Sequence, residues 1–384
     1  MIQLFEHYPL LKNKLPYVSL GNFPTPIQKL DRLGKDIDID HLYIKRDDLS
    51  GKVYGGNKIR KLEFLLGHAL HARVKEVLTF GSAGSNHGLA TAIYAQQIGL
   101  KSISMLIPQP NAHYVRFNIL MSHYCKAELH QYRSMRFLSI GKIYQLLRHK
   151  LKYGKFPQII PLGGSSPLGT IGYVNAAFEL KEQIMEGKMP EPDLIYVALG
   201  TMGTVVGLIL GLKATNLKSR VISVLVANEK FIHLKKMIKL FYKTNSLLHS
   251  LDPSFSKFVF SEKDQHIKHD FFGQGYAHFT KEGMDAVAHM EKSEGIKLDG
   301  TYTGKALTAL IDDAKKQYLR NKVVLFWNTY NSKDFSDVIS TVDYRQLPRC
   351  FHRYFEEEVQ PLDRVNAPSD RQCQINFIST AHHK

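Results

Sequence analysis

The chain has 384 residues, of which 44% are hydrophobic and 22% charged, with 27 glycines. It is too long for one small core and too apolar to be mostly disordered, so its size predicts two structural domains around a substantial interior. Fifty-one basic against 35 acidic side chains give a formal charge of +16, but no run of five Lys/Arg and no zinc-finger or RNP spacing occurs, so a generally basic surface is expected in preference to a nucleic-acid footprint.

From about residue 57 the hydrophobic pattern alternates between helical and strand periods. Ile59, Leu62, Leu65, Leu66 and Leu70 share one helical face within Lys58–Val74. Val77–Phe80 reads as a short buried strand, followed by the loop Gly81–Asn86 and a helix through Ile98. Next come a strand at Ser102–Pro108, a helix near Val115–Tyr124, a strand at Ala127–Gln131, a helix near Met135–Leu151 and a strand at Gln158–Leu162. After Gly163 the order resumes with a helix through about Met185, the strand Leu194–Leu199, a helix from Val205 and the strand Val221–Val226. Strands separated by helices of this length predict βαβ units and an open α/β architecture with two sheets.

Two segments break the alternation. Residues 229–270 carry a basic amphipathic stretch, Lys230–Tyr242, then a polar region, and predict an inserted surface helix and loop whose apolar face lies on its own core. Beyond Tyr344 periodicity is weak, and Pro348, Pro361 and Pro368 predict an extension lying on the body or partly disordered.

The three cysteines, Cys125, Cys350 and Cys373, form no CxxC pair, which fits a reducing compartment. Met1–His7 lacks the charged-then-apolar order of a signal peptide. No apolar run approaches the ~18 residues a membrane helix needs. A soluble, cytoplasmic protein without nucleic-acid or membrane partners is therefore expected. His68 and His71 could share a helix face, but no third ligand is suggested and HExxH is absent, so no metal is expected.

Three loops carry the candidate chemistry. Gly200-Thr201-Met202-Gly203-Thr204 follows a strand and precedes a helix, which suits either a tight turn or a phosphate cradle of inward N–H groups at a helix start. Tyr54-Gly55-Gly56-Asn57-Lys58 opens a long helix, and a lysine near the positive end of the helix dipole favours its neutral amine, the form that condenses with an aldehyde. Taken alone, Lys58 also reads as an exposed first-turn lysine. Gly84-Ser85-Asn86-His87-Gly88 opens another helix, where Ser85 and Asn86 could be simple caps. A lysine, an anion cradle and polar donors together are what a pyridoxal-phosphate enzyme requires.

The order of motifs resembles the family that contains D-cysteine desulfhydrase and 1-aminocyclopropane-1-carboxylate (ACC) deaminase, within fold type II of the pyridoxal-phosphate enzymes, the tryptophan synthase beta-like group. The resembling segments are Thr25-Pro26-Ile27; Lys45–Leu49; Gly55-Gly56-Asn57-Lys58-Ile59-Arg60-Lys61-Leu62-Glu63; Ser85-Asn86-His87; Gly163–Gly169; Gly200–Thr204; Gly275-Tyr276; and Asp299–Ala306. The resemblance implies two open, twisted, largely parallel sheet domains, each three-layer α/β/α, with the cofactor cleft between them. Residues 1–60 and 170–345 would form the large domain, 61–169 the small one, and 346–384 a C-terminal extension.

By this resemblance Lys58 looks like the Schiff-base lysine and Lys61 like a residue facing the phosphate. Gly200, Thr201, Met202, Gly203 and Thr204 look like the phosphate loop. Asn86 matches the residue bonding the cofactor's phenolic oxygen, and Ser85 the hydroxyl against the substrate. Tyr276 and Tyr302 match tyrosines beside the substrate, and Thr329 a substrate-side threonine of the desulfhydrase branch; His87, which follows Ser85-Asn86, is expected on the substrate side, to orient the serine or to shuttle a proton. Thr303 falls where the family contacts the pyridine nitrogen. The deaminase branch has a carboxylate there, and a hydroxyl holds the pyridinium proton less strongly, so Thr303 favours β-elimination of a good leaving group over ring opening. The expected activity is that of a desulfhydrase-like lyase/deaminase releasing a 2-oxo acid and ammonia, with ACC deamination or non-catalytic cofactor binding as rivals. A homodimer is implied as well. The chain departs from the family pattern at Gly84, where glutamine is usual, at Ala277, where glycine is usual, and at Asn328-Thr329-Tyr330-Asn331 in place of HTGG.

Overall fold

A computed structural model describes residues 2–229 and 232–365. Ten strands form two sheets: β1 (Ile27–Lys29), β2 (His41–Arg46), β3 (Glu76–Ser82), β4 (Lys101–Ile107), β5 (Glu128–Gln131), β6 (Gln158–Ile160), β7 (Leu194–Leu199), β8 (Arg220–Leu225), β9 (Ile267–Lys268) and β10 (Val323–Asn328). The larger sheet runs β1-β2-β10-β7-β8-β9 and the smaller β5-β4-β3-β6. Every pairing is parallel except that of β1 with β2.

Helices of twelve or more residues are numbered α1 to α9: α1 (Lys58–His71), α2 (Asn86–Gln97), α3 (His113–Tyr124), α4 (Met135–Tyr153), α5 (Pro167–Met185), α6 (Gly203–Ala214), α7 (Leu234–Leu251), α8 (Lys281–Glu294) and α9 (Thr303–Lys315). They cover the sheets, which is why β7 reads as a continuous apolar run and why β4 and β7 both lie almost wholly buried. No helix among the described residues is long and apolar enough to cross a membrane.

The predicted alternation from Val77 to Val226 matches the observed elements to within a few residues. The strand expected at Gln158–Leu162 stops at Ile160, because Leu162–Gly164 turns back on itself with Gly163 and Gly164 at positive φ. The amphipathic stretch expected from Lys230 to Tyr242 becomes α7, with Met237, Phe241 and Leu248 buried on the body. The tail lies on the body as far as it is described, with Phe351 and Tyr354 buried; Pro368 and Cys373 fall outside the described residues.

The helix α1 departs from its one-face prediction. Arg60, Lys61 and Glu63 are buried as fully as Leu62 and Leu66, because each charge has a partner in the interior or faces the site. Arg60 donates to both oxygens of Asp47 (2.7 and 3.0 Å) and to Glu179 (2.8 Å), while Lys45 donates to Glu179 at 2.5 Å. Tyr173 and Trp327 close the shell, donating to Asp47 at 2.6 and 2.7 Å. The two cations and two anions balance. This network joins β2, β10, α1 and α5 directly beneath the helix start that carries Lys58.

Candidate active site

The strands β2, β10 and β7 end at one edge of the large sheet, and β3 ends at the facing edge of the small one. Loops leaving such edges are where open α/β folds bind ligands. Three of them converge on the N-terminus of α1.

The first loop carries Lys58. Gly56 has φ +88°, and a Cβ there would stand 2.9 Å from the Thr329 carbonyl oxygen, so this tight approach needs glycine. Asn57 N–H donates to the same carbonyl (3.2 Å), and Gly55 N–H donates to Asn331 Oδ1 (2.6 Å). The segment that stands in place of the family's HTGG thus clasps the lysine loop through the Thr329 carbonyl and the Asn331 side-chain amide. Lys58 Nζ donates to Asn57 Oδ1 at 2.7 Å. Burial pulls its amine down to about 8, against the opposing pull of Asp299. The exposed first-turn reading is therefore excluded, and a substantial neutral fraction exists near neutral pH.

The second loop is the cradle after β7. Met202 sits at φ +71°, strained for a side chain, and turns the backbone so that α6 begins at Gly203. Ser165 Oγ accepts from Gly203 N–H (3.1 Å) and donates to Thr201 Oγ1 (2.8 Å). Thr204 Oγ1 accepts from Asn57 Nδ2 (3.2 Å), tying the cradle to the lysine loop. A Cβ at Gly203 would stand 2.7 Å from Ser165 Oγ and 3.2 Å from Lys61 Nζ, so the Lys61 amine hangs at the cradle mouth. Its one hydrogen bond among the described residues is to the Gly163 carbonyl (3.2 Å), and burial together with Lys58 depresses its pKa well below normal. A buried amine above a helix N-terminus is a donor set for an anion.

The third loop, after β3, starts α2. Ser85 caps the helix by accepting from Gly88 N–H at 3.1 Å, which leaves its own proton to donate. Asn86 Oδ1 accepts from Asn118 Nδ2 (2.8 Å), which aims the Asn86 amide N–H₂ away as a donor. His87 is buried against Gly164, with the Pro161 backbone beside its ring. Burial and the two lysines hold it well below its ordinary pKa, so the ring is neutral.

A cluster of hydroxyls faces these loops. Tyr276 and Tyr302 hydroxyls lie 2.5 Å apart, and Ser82 Oγ donates to Tyr276 at 3.3 Å. Tyr302 is kept protonated by burial and by Tyr276 beside it. Asp299 accepts from the N–H groups of Thr301, Tyr302 and Thr303 (2.9, 2.6 and 3.3 Å) and from Thr303 Oγ1 (2.8 Å). Thr303 Oγ1 in turn accepts from Asp299 N–H at 2.8 Å. Ala277 adopts φ +64°, the conformation that a glycine at this position would take without strain.

Comparison with known proteins agrees with this geometry. The pyridoxal-phosphate-dependent enzyme family model matches residues 18–329. The chain belongs to that family. It is 32% identical over 321 residues to the D-cysteine desulfhydrase of Klebsiella pneumoniae, covering 82% of this chain and 94% of the relative. It is 34% identical over 310 residues to the mitochondrial bifunctional D-cysteine desulfhydrase/1-aminocyclopropane-1-carboxylate deaminase of Arabidopsis thaliana, covering 78% and 73% of the two chains. A solved ACC deaminase homologue superposes with a TM-score of 0.72 at 33% identity, covering 88% of this chain and 98% of that one.

Lys58, Lys61 and the Gly200–Thr204 turn come together as a donor set that fits the cofactor, with an amine that could meet its aldehyde and a helix start that could meet its anionic arm. Sequence reasoning assigned no role to Asn57, Ser165, Asn118 or Asp299. Asp-Gly-Thr ahead of a helix is a capping signature that could have drawn notice to Asp299; Asn118 carried no local signal.

Two measurements test this site. Because Lys58 must be neutral to react, the rate at which cofactor-free protein takes up pyridoxal phosphate should rise about tenfold per pH unit below about 8 and level off above it, followed by absorbance. Gly203→Ala places a methyl group between Ser165 and Lys61, and should weaken cofactor binding by at least tenfold, or about 1.4 kcal/mol, in titration, with helix content unchanged.

Proposed function

We propose that the protein is a desulfhydrase-like lyase/deaminase that converts a small amino acid such as D-cysteine, by β-elimination, to a 2-oxo acid and ammonia. The observation that carries this is the partly buried Lys58 amine, with its lowered pKa, in a loop tied to the Gly200–Thr204 turn at the start of α6. Bound pyridoxal phosphate would supply the electron sink for charge developing at the substrate's α-carbon. Lys58, Lys61, Asn86, Gly200, Thr201, Met202, Gly203, Thr204 and Thr303 would hold the cofactor. The neutral Lys58 amine is the base suited to take the α-proton. Ser85 Oγ–H and the Asn86 amide are donors suited to the substrate carboxylate and the cofactor's phenolic oxygen. The paired Tyr276 and Tyr302 hydroxyls, both capable of donating, suit a departing thiolate that needs a proton. Thr303 gives its own proton to Asp299 and puts no carboxylate against the ring, which supports elimination over ring opening.

The same reading takes Thr329 and His87 as substrate-side residues, His87 acting from the first turn of α2. It further infers a large domain of 1–60 and 170–345, a small domain of 61–169, a C-terminal extension, cytoplasmic residence and a homodimer. The deciding experiment supplies D-cysteine and ACC separately. Pyruvate, ammonia and hydrogen sulfide from D-cysteine support the proposal. 2-Oxobutyrate from ACC alone would make the protein a deaminase of the other kind, and cofactor binding with no product from a panel of D- and L-amino acids would leave a non-catalytic binder.

A further inference from the structure

The helix α4 lies on the outer face of the small sheet. It turns Leu138, Gly141, Gln145 and His149 inward. Its opposite face carries Phe137, Ile140, Ile143, Tyr144, Leu147 and Leu151, all exposed, from about half for Leu147 to 88% for Leu151. Five of these, at 137, 140, 144, 147 and 151, repeat at alternating steps of three and four, so they form one continuous stripe along the helix. Single exposed apolar side chains are ordinary, whereas an unbroken stripe on a nineteen-residue helix marks a contact surface. The contrast with α7 is direct: that helix is equally basic, but its apolar face is spent on the protein's own core.

Charge identifies the partner. Between Glu128 and Glu179 the chain contains no acidic residue, while Arg133, Arg136, Lys142, Arg148, Lys150, Lys152 and Lys155 all fall there. Arg148 is paired with Glu128, and Lys150 lies 4.5 Å over the Phe156 ring. On the helix, Arg136 and Lys150 flank the stripe on one side and Arg148 on the other. A second copy docked on this face would bring those cations against their own equivalents, whereas anionic headgroups would neutralise them.

We propose that the exposed stripe of α4, flanked by basic side chains, seats the protein on an anionic lipid bilayer, with Phe137, Ile140, Tyr144, Leu147 and Leu151 entering the headgroup boundary. This revises the expectation that the chain meets no membrane, which rested on the absence of a spanning segment. It is independent of the catalytic assignment, because none of these residues touches the Lys58 site.

The test uses the full-length, cofactor-loaded protein and vesicles of phosphatidylcholine, either pure or with one-third phosphatidylglycerol, separated by centrifugation. The protein should bind the anionic vesicles at least about tenfold better than the neutral ones and be released by high salt. The double variant Phe137→Glu/Leu147→Glu should lower that binding at least about tenfold while cofactor absorbance and keto-acid release are unchanged. Should that variant fold poorly, Arg136→Gln/Lys150→Gln serves instead and should lower binding to anionic vesicles selectively. Wild-type protein that ignores both vesicle types, or binds them equally, overturns the proposal. So does a wild-type dimer that sheds vesicles yet falls to a monomer on Phe137→Glu/Leu147→Glu, since the stripe would then be the seat of a second copy.

Discussion

Lys58→Ala should abolish turnover of any amino-acid substrate, a loss of at least about 10⁴-fold given that the nucleophile and the base disappear together. The visible absorption of the loaded protein should be lost or shifted, while the melting temperature of cofactor-free protein should not fall. A lysine whose charge is penalised by burial contributes little to stability, and its removal relieves a cost. The cradle, built from Ser165, Thr201, Gly203 and Thr204, stays intact in this variant, so the phosphate arm should still be held. Retention of substantial turnover by Lys58→Ala would remove the basis of the proposed mechanism.

Asp47→Asn should cost about 3–5 kcal/mol of stability without any direct effect on bound substrate, because it strips the fully buried Arg60 of a charged partner. Burial alone would raise the Asp47 and Glu179 carboxyls, but Arg60 foremost, with Lys45, overrides it and holds both below their ordinary values of 3.8 and 4.5. The sign of the pH dependence follows. Carboxyls depressed on folding contribute stability that is fully present above those ordinary values and is lost as the pH falls below them toward the folded ones. Wild type should therefore unfold steeply in acid, and Asp47→Asn should show a shallower acid limb from a lower plateau, measured by urea titration at a series of pH values. An unchanged urea midpoint at neutral pH would contradict this account of the network.

The parts of the fold that were legible are those where period switches locally. From Val77 to Val226 the apolar spacing passes repeatedly between strand and helix, and each turn residue marks a boundary. What escaped was non-local. The strand β10 sits between β2 and β7 although some 280 residues separate it from β2, and no local pattern at Val323–Asn328 names its neighbours. Charge ordinarily marks the surface, so nothing local at Arg60 and Glu63 announces their burial. Their burial follows from partners at Asp47, Glu179 and the Leu20–Gly21 backbone, which meet only in three dimensions. The Lys58 loop and the cradle were readable as motifs, whereas the Asn331 clasp and the Asp299 cap needed coordinates.

The position of β10 also sets when the binding cleft can exist. All four strands of the small sheet lie within residues 76–160 and can assemble while the chain is still emerging from the ribosome. The large sheet cannot close until residues 323–328 fill its gap, and the loop around Lys58 has no clasp until Thr329 and Asn331 follow them. A nascent polypeptide ending short of that strand therefore leaves the Lys58 loop unseated, and the cleft can form only after residue 331 has been made.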